Sequence, residues 1–391
     1  MILKLLFWIF LLIILYTYVG YTLMLLIIYA IRIIFRRQKD NLNPDFEPEV
    51  TLLIPSYNEE RYVIEKVNNC LSLNYPAGKL RIVWITDGTT DNTSELLYRY
   101  PGITVMHDYK RSGKIHAMNR GMSVVDTPIV VFTDANSMLN TEAIREIVRP
   151  FALDKVGCVT GEKRIASSHK QEAVSAGEGL YWQYESLIKK LESKSGSVVG
   201  AVGEIFAIRT SLYDEVSEDT LLDDFTLSLQ MLRKGYSIKY APNAYGIETA
   251  SLSVSEEIKR KTRIASGGMQ SLTRMTDLLN PLKYGFISLK YISHKVFRWT
   301  IVPFAFPLVF ILNLIILFTP GSTNLYSILF GLQCLFYLLA FAGWRYEKVK
   351  TKLGFVFAPY YLFIMNYAVI KGLLRFLTGN YSVKWPKVKR T

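Results

Sequence analysis

The sequence predicts an α/β domain built on a parallel sheet and held at a membrane by apolar helices on either side of it. Three observations carry that prediction. Stretches without any Asp, Glu, Lys or Arg occupy residues 5–31, 299–344 and 353–370 of the 391. Between the first two, short apolar runs at residues 50–55, 81–85 and 129–132 each end in a polar cluster. Charge is also divided: residues 1–40 hold five bases and one acid, and residues 281–391 hold fourteen bases and one acid. The 240 residues between sum to −4, although the whole chain carries +13.

Roughly 20 apolar residues cross a bilayer, so the three long runs read as membrane spans, the middle one as a pair. The positive charge then belongs to membrane flanks and anionic lipid headgroups, and a nucleic-acid partner is not expected. The first run is too long for a signal-peptide core and no small-residue cleavage site follows it. Arg32, Arg36, Arg37 and Lys39 come directly after, so a retained anchor is expected. The same charge bias places residues 41–280 in the cytoplasm, the uncharged turn at 320–324 outside, and Arg345, Lys348, Lys350 and Lys352 inside. Full crossing by residues 353–370 would put Lys384, Lys387, Lys389 and Arg390 outside, against the bias. That run holds Pro359 and Asn366, and crossing, kinking and re-entry all stay open. The expected division is a span and basic flank over 1–40, a cytoplasmic domain over 41–280, and an interface helix with about three spans over 281–391. Lys283, Lys290, His294, Lys295 and Arg298, at helix-like spacing, predict the interface helix.

Cys70, Cys158 and Cys334 form no CxxC pair and the four histidines form no HExxH, so a metal would be held by oxygen ligands. Continuous apolar runs point to strands buried on both faces. Helical patterns at 60–73, 93–100 and 114–125 complete a β-α-β alternation, in which ligands bind beyond the carboxyl ends of the strands. All three polar clusters lie there. There is no GxGxxG after the first strand and no GxxxxGK[ST], which removes the main support for dinucleotide and P-loop readings.

The clusters themselves are specific. The first reads Ile54, Pro55, Ser56, Tyr57, Asn58, Glu59, and the second runs from Thr86 and Asp87 through Gly88 to Asp91 and Thr93. Alone, Asp-Gly is a common turn and Thr93 a plausible helix cap. Next come Arg111, Ser112, Gly113, Lys114 and Asn119, where a lysine behind glycine at a helix start suits a diphosphate. Asp134, Ala135 and Asn136 end the third strand. Gly203 and Glu204 close a small-residue loop, and Asp223 and Asp224 open a helix, a placement that the helix dipole favours by itself. Arg260, Lys261, Arg263 and Ile264 follow.

Taken in order over roughly residues 48–275, these motifs resemble the inverting family-2 glycosyltransferases of the GT-A fold. The resemblance is to their membrane-integrated branch of cellulose, chitin, hyaluronan and poly-N-acetylglucosamine synthases. It implies a Rossmann-like nucleotide-diphospho-sugar transferase domain that moves a hexosyl or N-acetylhexosaminyl group. Pro55, Tyr57, Glu59, Asp87, Lys114, Asp134, Arg260 and Arg263 would bind the donor. Gly203, Glu204 and Asp223 would lie on the acceptor side, and Asp224 would be the catalytic base. Asp134 and Asn136 occupy the place of an Asp-x-Asp motif for Mg²⁺ or Mn²⁺; the second acid is Asn here, and Glu248 is another candidate ligand. Arg260 and Ile264 replace the Gln and Trp of "Q-x-x-R-W", which puts processivity in doubt. The implied activity is transfer from a UDP-sugar to a growing polysaccharide at the cytoplasmic face of a bacterial-type membrane. The alternatives are single addition to a lipid-linked acceptor and a non-catalytic nucleotide-sugar-binding or export partner.

Overall fold

The computed structural model describes residues 1–35, 43, 45–166, 172–249, 253–346 and 354–379. Eight strands form one sheet in the order β3-β2-β1-β4-β7-β6-β8-β5. They are β1 (Val50–Ser56), β2 (Leu80–Asp87), β3 (Ile103–Asp108), β4 (Ile129–Phe132), β5 (Met138–Leu139), β6 (Val156–Ala166), β7 (Phe206–Arg209) and β8 (Ser237–Thr249). The three apolar runs are β1, β2 and β4, paired in parallel as expected. Every residue of β1 is buried, which is why its sequence does not alternate. Trp84 is fully buried, and its indole donates to Ser56 Oγ at 2.8 Å, fixing β2 against β1.

The edge strand β3 is absent from the sequence reading. Only Ile103 in it is fully buried, so it offers no continuous apolar run. β7 pairs antiparallel with β4 and β6, and turns the sheet into its second half. The helices that flank the sheet follow the expected alternation: α2 (Glu60–Leu71), α3 (Thr93–Leu97), α4 (Lys114–Met122), α5 (Ala143–Val148), α6 (Glu172–Lys194), α7 (Asp223–Arg233) and α8 (Val254–Arg274).

The membrane part is α1 (Ile2–Phe35), α9 (Phe286–Thr300), α10 (Val302–Leu317), α11 (Asn324–Tyr346) and α12 (Gly354–Leu377). Among the described residues, α1 and α11 are long and apolar enough to cross a bilayer, and α9 with α10 counts as a third candidate if the pair is one bent span. The 60° bend lies just before Pro303, which lacks an N–H and cannot continue the preceding turn. At 34 residues α1 is about 51 Å long, well over the hydrocarbon thickness. Its second half docks on the domain, with Tyr21 and Leu25 packed against Ile188 and Leu191 of α6.

Two segments pack in ways that the sequence leaves open. The run at 353–370 falls in α12, which is not among the candidate spans. It lies along α8 instead, with Tyr360 and Ile364 against Val254 at one end and Gly372 under Thr262 and Ala265 at the other. The basic residues of α9 also face inward. Lys290 is buried and donates to the carbonyls of Glu192 at 2.9 Å and Ser197 at 2.8 Å. His294 lies between Glu192 (2.9 Å) and Glu185 (3.1 Å), and Arg298 pairs with Glu185. Helical spacing alone could not tell a lipid-facing stripe from a domain-facing one. Arg36, Arg37, Lys39, Lys348, Lys350, Lys352, Lys384, Lys387, Lys389 and Arg390 lie outside the described residues.

Glu192 joins three elements: it accepts from Tyr21 of α1, from the Val199 N–H at 3.2 Å, and contacts His294 of α9. Removing one member of a buried polar group leaves the others unpaired. Glu192→Ala is expected to cost about 3–5 kcal/mol, read as a lower thermal midpoint of the full chain in detergent. Adding Tyr21→Phe to it should cost little more, since both changes break the same contact.

Candidate active site

The ends of β1 and β2 are locked to each other before any ligand is considered. Asn58 adopts a left-handed φ of 53°, and its Oδ1 accepts from the Thr90 N–H at 2.8 Å. The Glu59 N–H donates to Thr93 Oγ1 at 3.0 Å. Gly88 is required, because a Cβ there would lie 2.4 Å from the Arg111 backbone. Asp87, almost wholly buried, accepts from the N–H groups of Ser112 (2.9 Å) and Gly113 (2.7 Å). Its carboxylate thus shapes the loop that starts α4. The Arg111 guanidinium covers the Tyr57 ring at 3.8 Å, and Pro55 is buried within β1.

Beyond this shelf lies a cavity of about 240 Å³. It gathers Lys114, Asp134, Gly203, Glu204, Asp223, Asp224, Arg260 and Arg263, residues drawn from five widely separated segments. Pro55, Tyr57, Glu59 and Asp87 do not line it. Asn136, half-buried two residues past Asp134, does not line it either. Lys114 binds the acids together, with Nζ 2.8 Å from Asp134 Oδ1 and 2.9 Å from Asp223 Oδ2. Burial would lower the pKa of this ammonium, but Asp134 and Asp223 hold it above the usual lysine range. Burial raises the Asp134 carboxyl, against the pull of Lys114.

Asp224 is displaced upward. Burial and the neighbouring Asp223 charge push it up to about 7, opposed by Lys114 and the Phe225 N–H, which donates to Oδ1 at 2.8 Å. The Gly203 backbone passes so close that a Cβ there would lie 3.3 Å from Asp224 Oδ2. A carboxyl that titrates near neutrality, in a cavity and beside a fixed ammonium, suits proton abstraction. Arg263 enters the same space; burial lowers its pKa, against the fields of Asp223, Asp224 and Asp134. Arg260 is held by Glu257 in a two-pronged contact of 2.9 Å at each nitrogen.

Other residues that line or frame the cavity escape the sequence reading. Lys163 bridges Glu204 (2.5 Å) and Glu248 (2.6 Å) and closes one wall. Lys66, fully buried on the inner face of α2, donates to Thr133 Oγ1 at 3.2 Å and to the Ser137 carbonyl, and so fixes the loop that carries Asp134 and Asn136. Its signal was a lysine among Val63, Val67 and Cys70 on an apolar helix face. Trp182 and Trp299 line the cavity along with Ile264. Trp299 sits on Gly268, where a Cβ would lie 2.6 Å from the ring, so the Gly267-Gly268 pair was the available signal.

Among the described residues no three His, Cys, Asp or Glu side chains form a group that could hold a metal. A hard cation of the Mg²⁺ type takes one or two protein oxygens and draws its other ligands from water and substrate phosphates.

Known proteins are consistent with this geometry. The family described as "Glycosyltransferase like family 2" matches residues 48–267. The poly-beta-1,6-N-acetyl-D-glucosamine synthase of Staphylococcus aureus strain COL is 28% identical over 250 residues, covering 61% of this chain; the chain thus spans 58% of that relative. The synthase of the same name from Staphylococcus epidermidis is 25% identical over 358 residues, 82% of each chain. Among solved structures, a mannosyltransferase from Pyrobaculum calidifontis in complex with GDP-Man and Mn²⁺ superposes with a TM-score of 0.71 at 20% identity, over 96% of this chain and 100% of that one. At that identity the likeness shows the fold, a GT-A-like mixed sheet flanked by long apolar helices. By the match over residues 48–267, more than half of its length, the chain belongs to the family-2 glycosyltransferases and is homologous to the poly-N-acetylglucosamine synthases.

Proposed function

We propose that the protein is an inverting transferase that adds sugars from a UDP-linked donor to a growing polysaccharide at the cytoplasmic face of a membrane. The observation that carries this reading is Asp224, a buried carboxyl poised near neutrality on one wall of the cavity that also holds Lys114, Asp134 and Arg263. In the reaction, Asp224 removes the acceptor hydroxyl proton as that oxygen attacks the anomeric carbon, and the bond to the diphosphate breaks on the opposite face. One base suffices and no covalent intermediate forms.

Lys114 and Arg263 present fixed positive charge to the leaving diphosphate, and the shelf formed by Tyr57, Glu59 and Asp87 receives the nucleoside. Asp134, with Asn136 beside it, would hold a divalent cation, which when bound neutralises charge on the donor phosphates. Gly203 and Glu204 flank the acceptor, and Trp182 and Trp299 offer the aromatic faces that Ile264 does not. The relatives' product makes UDP-N-acetylglucosamine the first donor to test. Residues 41–280 would form the cytoplasmic domain, with 1–40 and 281–391 attaching it. The second reading, single addition to a lipid-linked acceptor, draws on the altered "R-x-x-R-I" cluster at 260–264.

Purified protein assayed for UDP release across a panel of nucleotide sugars tests the donor, and sizing of labelled product separates polymer from a single adduct. Release with no UDP-sugar tried would sink the reading.

Asp224→Asn is expected to lower turnover by a factor of about 100 or more, the range for a lost general base, with donor affinity retained in a binding assay. Asp223→Asn should be milder. Because the deprotonated carboxylate is the active form, kcat/KM of the wild type should rise with pH through about 7 and level off above it. A flat profile together with an active Asp224→Asn would assign the proton to another group.

Chelator should abolish transfer, and Mn²⁺ or Mg²⁺ should restore it. A carboxylate is a stronger ligand for hard cations than an amide, so Asn136→Asp should lower the Mn²⁺ concentration needed for half-maximal rate. Undiminished turnover in chelator would remove the cation from the scheme.

A further inference from the structure

A second cavity, of about 750 Å³, opens between α8, α11 and α12. It is apart from the catalytic cavity and shares no residue with it. Its wall is apolar and aromatic, with Tyr337, Phe341 and Trp344 from α11 facing Tyr360, Phe363 and Tyr367 from α12. Two lysines, Lys259 of α8 and Lys371 of α12, stand on its lining, and among the described residues no acid lines it. Both lysines are exposed. Lys259 donates to Glu256 at 2.7 Å with its side chain 68% exposed, a surface pair that exchanges readily. Lys371 lies 5.4 Å from the Tyr367 ring centre.

We infer that this groove is a binding site for an anionic phospholipid, with an acyl chain between α11 and α12 and the phosphate between Lys259 and Lys371. Three features select this occupant. α11 is one of the helices apolar enough to cross a bilayer, so the groove opens at lipid depth, where a soluble peptide has no access. The α8 side of the groove belongs to the charged domain helix, which sets Lys259 at the level of the headgroups. Tyr and Trp rings with an apolar body and a polar tip are the side chains of the membrane–water boundary. Two positive charges without a lining acid complement a headgroup of net negative charge rather than a zwitterion. The site also touches the catalytic machinery through one helix: α8 presents Lys259 to the groove and, in the next positions, Arg260 and Arg263 to the catalytic cavity.

The test uses the full chain in phosphatidylcholine vesicles with increasing amounts of phosphatidylglycerol bearing brominated acyl chains, which quench tryptophan on contact. The difference between wild type and Trp344→Phe isolates the groove. Quenching should saturate at a low fraction of phosphatidylglycerol, and Lys259→Gln with Lys371→Gln should raise the midpoint about 30-fold, roughly five-fold for each lysine at a membrane surface. Brominated phosphatidylcholine should show no such preference in either protein. Should the double variant fail to fold, raised salt on the wild type makes the same distinction, by shifting the phosphatidylglycerol midpoint and not the phosphatidylcholine one. Equal midpoints for the two lipids, or a midpoint insensitive to both lysines and salt, would make the groove ordinary lipid boundary and overturn the site. No sugar or nucleotide enters the measurement, so its result stands apart from that of the transferase assays.

Discussion

The Lys114 ammonium is the interaction on which both halves of the catalytic cavity depend. Asp134 comes from the parallel half of the sheet, at the end of β4, whereas Asp223 and Asp224 open α7 in the second half. Three carboxylates brought into one buried space repel one another strongly where water is scarce. Lys114 touches one acid of each half and makes their proximity tolerable. It arrives there because Asp87 captures the two N–H groups just before it, so a carboxylate outside the cavity sets the position of the cation inside it. Asp224, adjacent to this pair and outside direct contact with Lys114, is the acid left to titrate near neutrality.

Much of this was legible in the sequence, for reasons that can be traced. β1, β2 and β4 announce themselves because strands buried on both faces must be apolar at every position. The motifs at their ends were legible because sharp turns and close approaches restrict the residue type, as at Gly88 and Gly203. What stayed hidden depends on pairing over long distances. β3 is a half-exposed edge and has no composition to betray it. Asp87 read as a ligand-binding acid, and a sequence carries no sign that two N–H groups 25 and 26 residues away would occupy it. Residues 358–370 pack on α8 on one side and on the apolar helices on another, which accounts for their apolar composition.

The domain and its membrane helices share polar contacts as well as surface. α6 gives Glu185 and Glu192 to a buried group completed by Tyr21, His294 and Arg298, which come from α1 and α9. Those links hold the catalytic sheet in a fixed attitude to the bilayer, and α12 braces α8 from beneath. Trp299 reaches the cavity from the same α9, so part of the cavity wall comes from outside the sheet.

That shared acid group bears on how the protein is made. Glu192 and its partner His294 are separated by 102 residues, and Glu185 from Arg298 by 113. While the ribosome synthesises the second half of the sheet, both carboxylates wait without their basic partners, and α6 cannot settle dry against α1. The sheet therefore gains its full set of buried polar contacts only after the helices that follow it have emerged, which makes delivery of those late segments a folding step for the sheet itself.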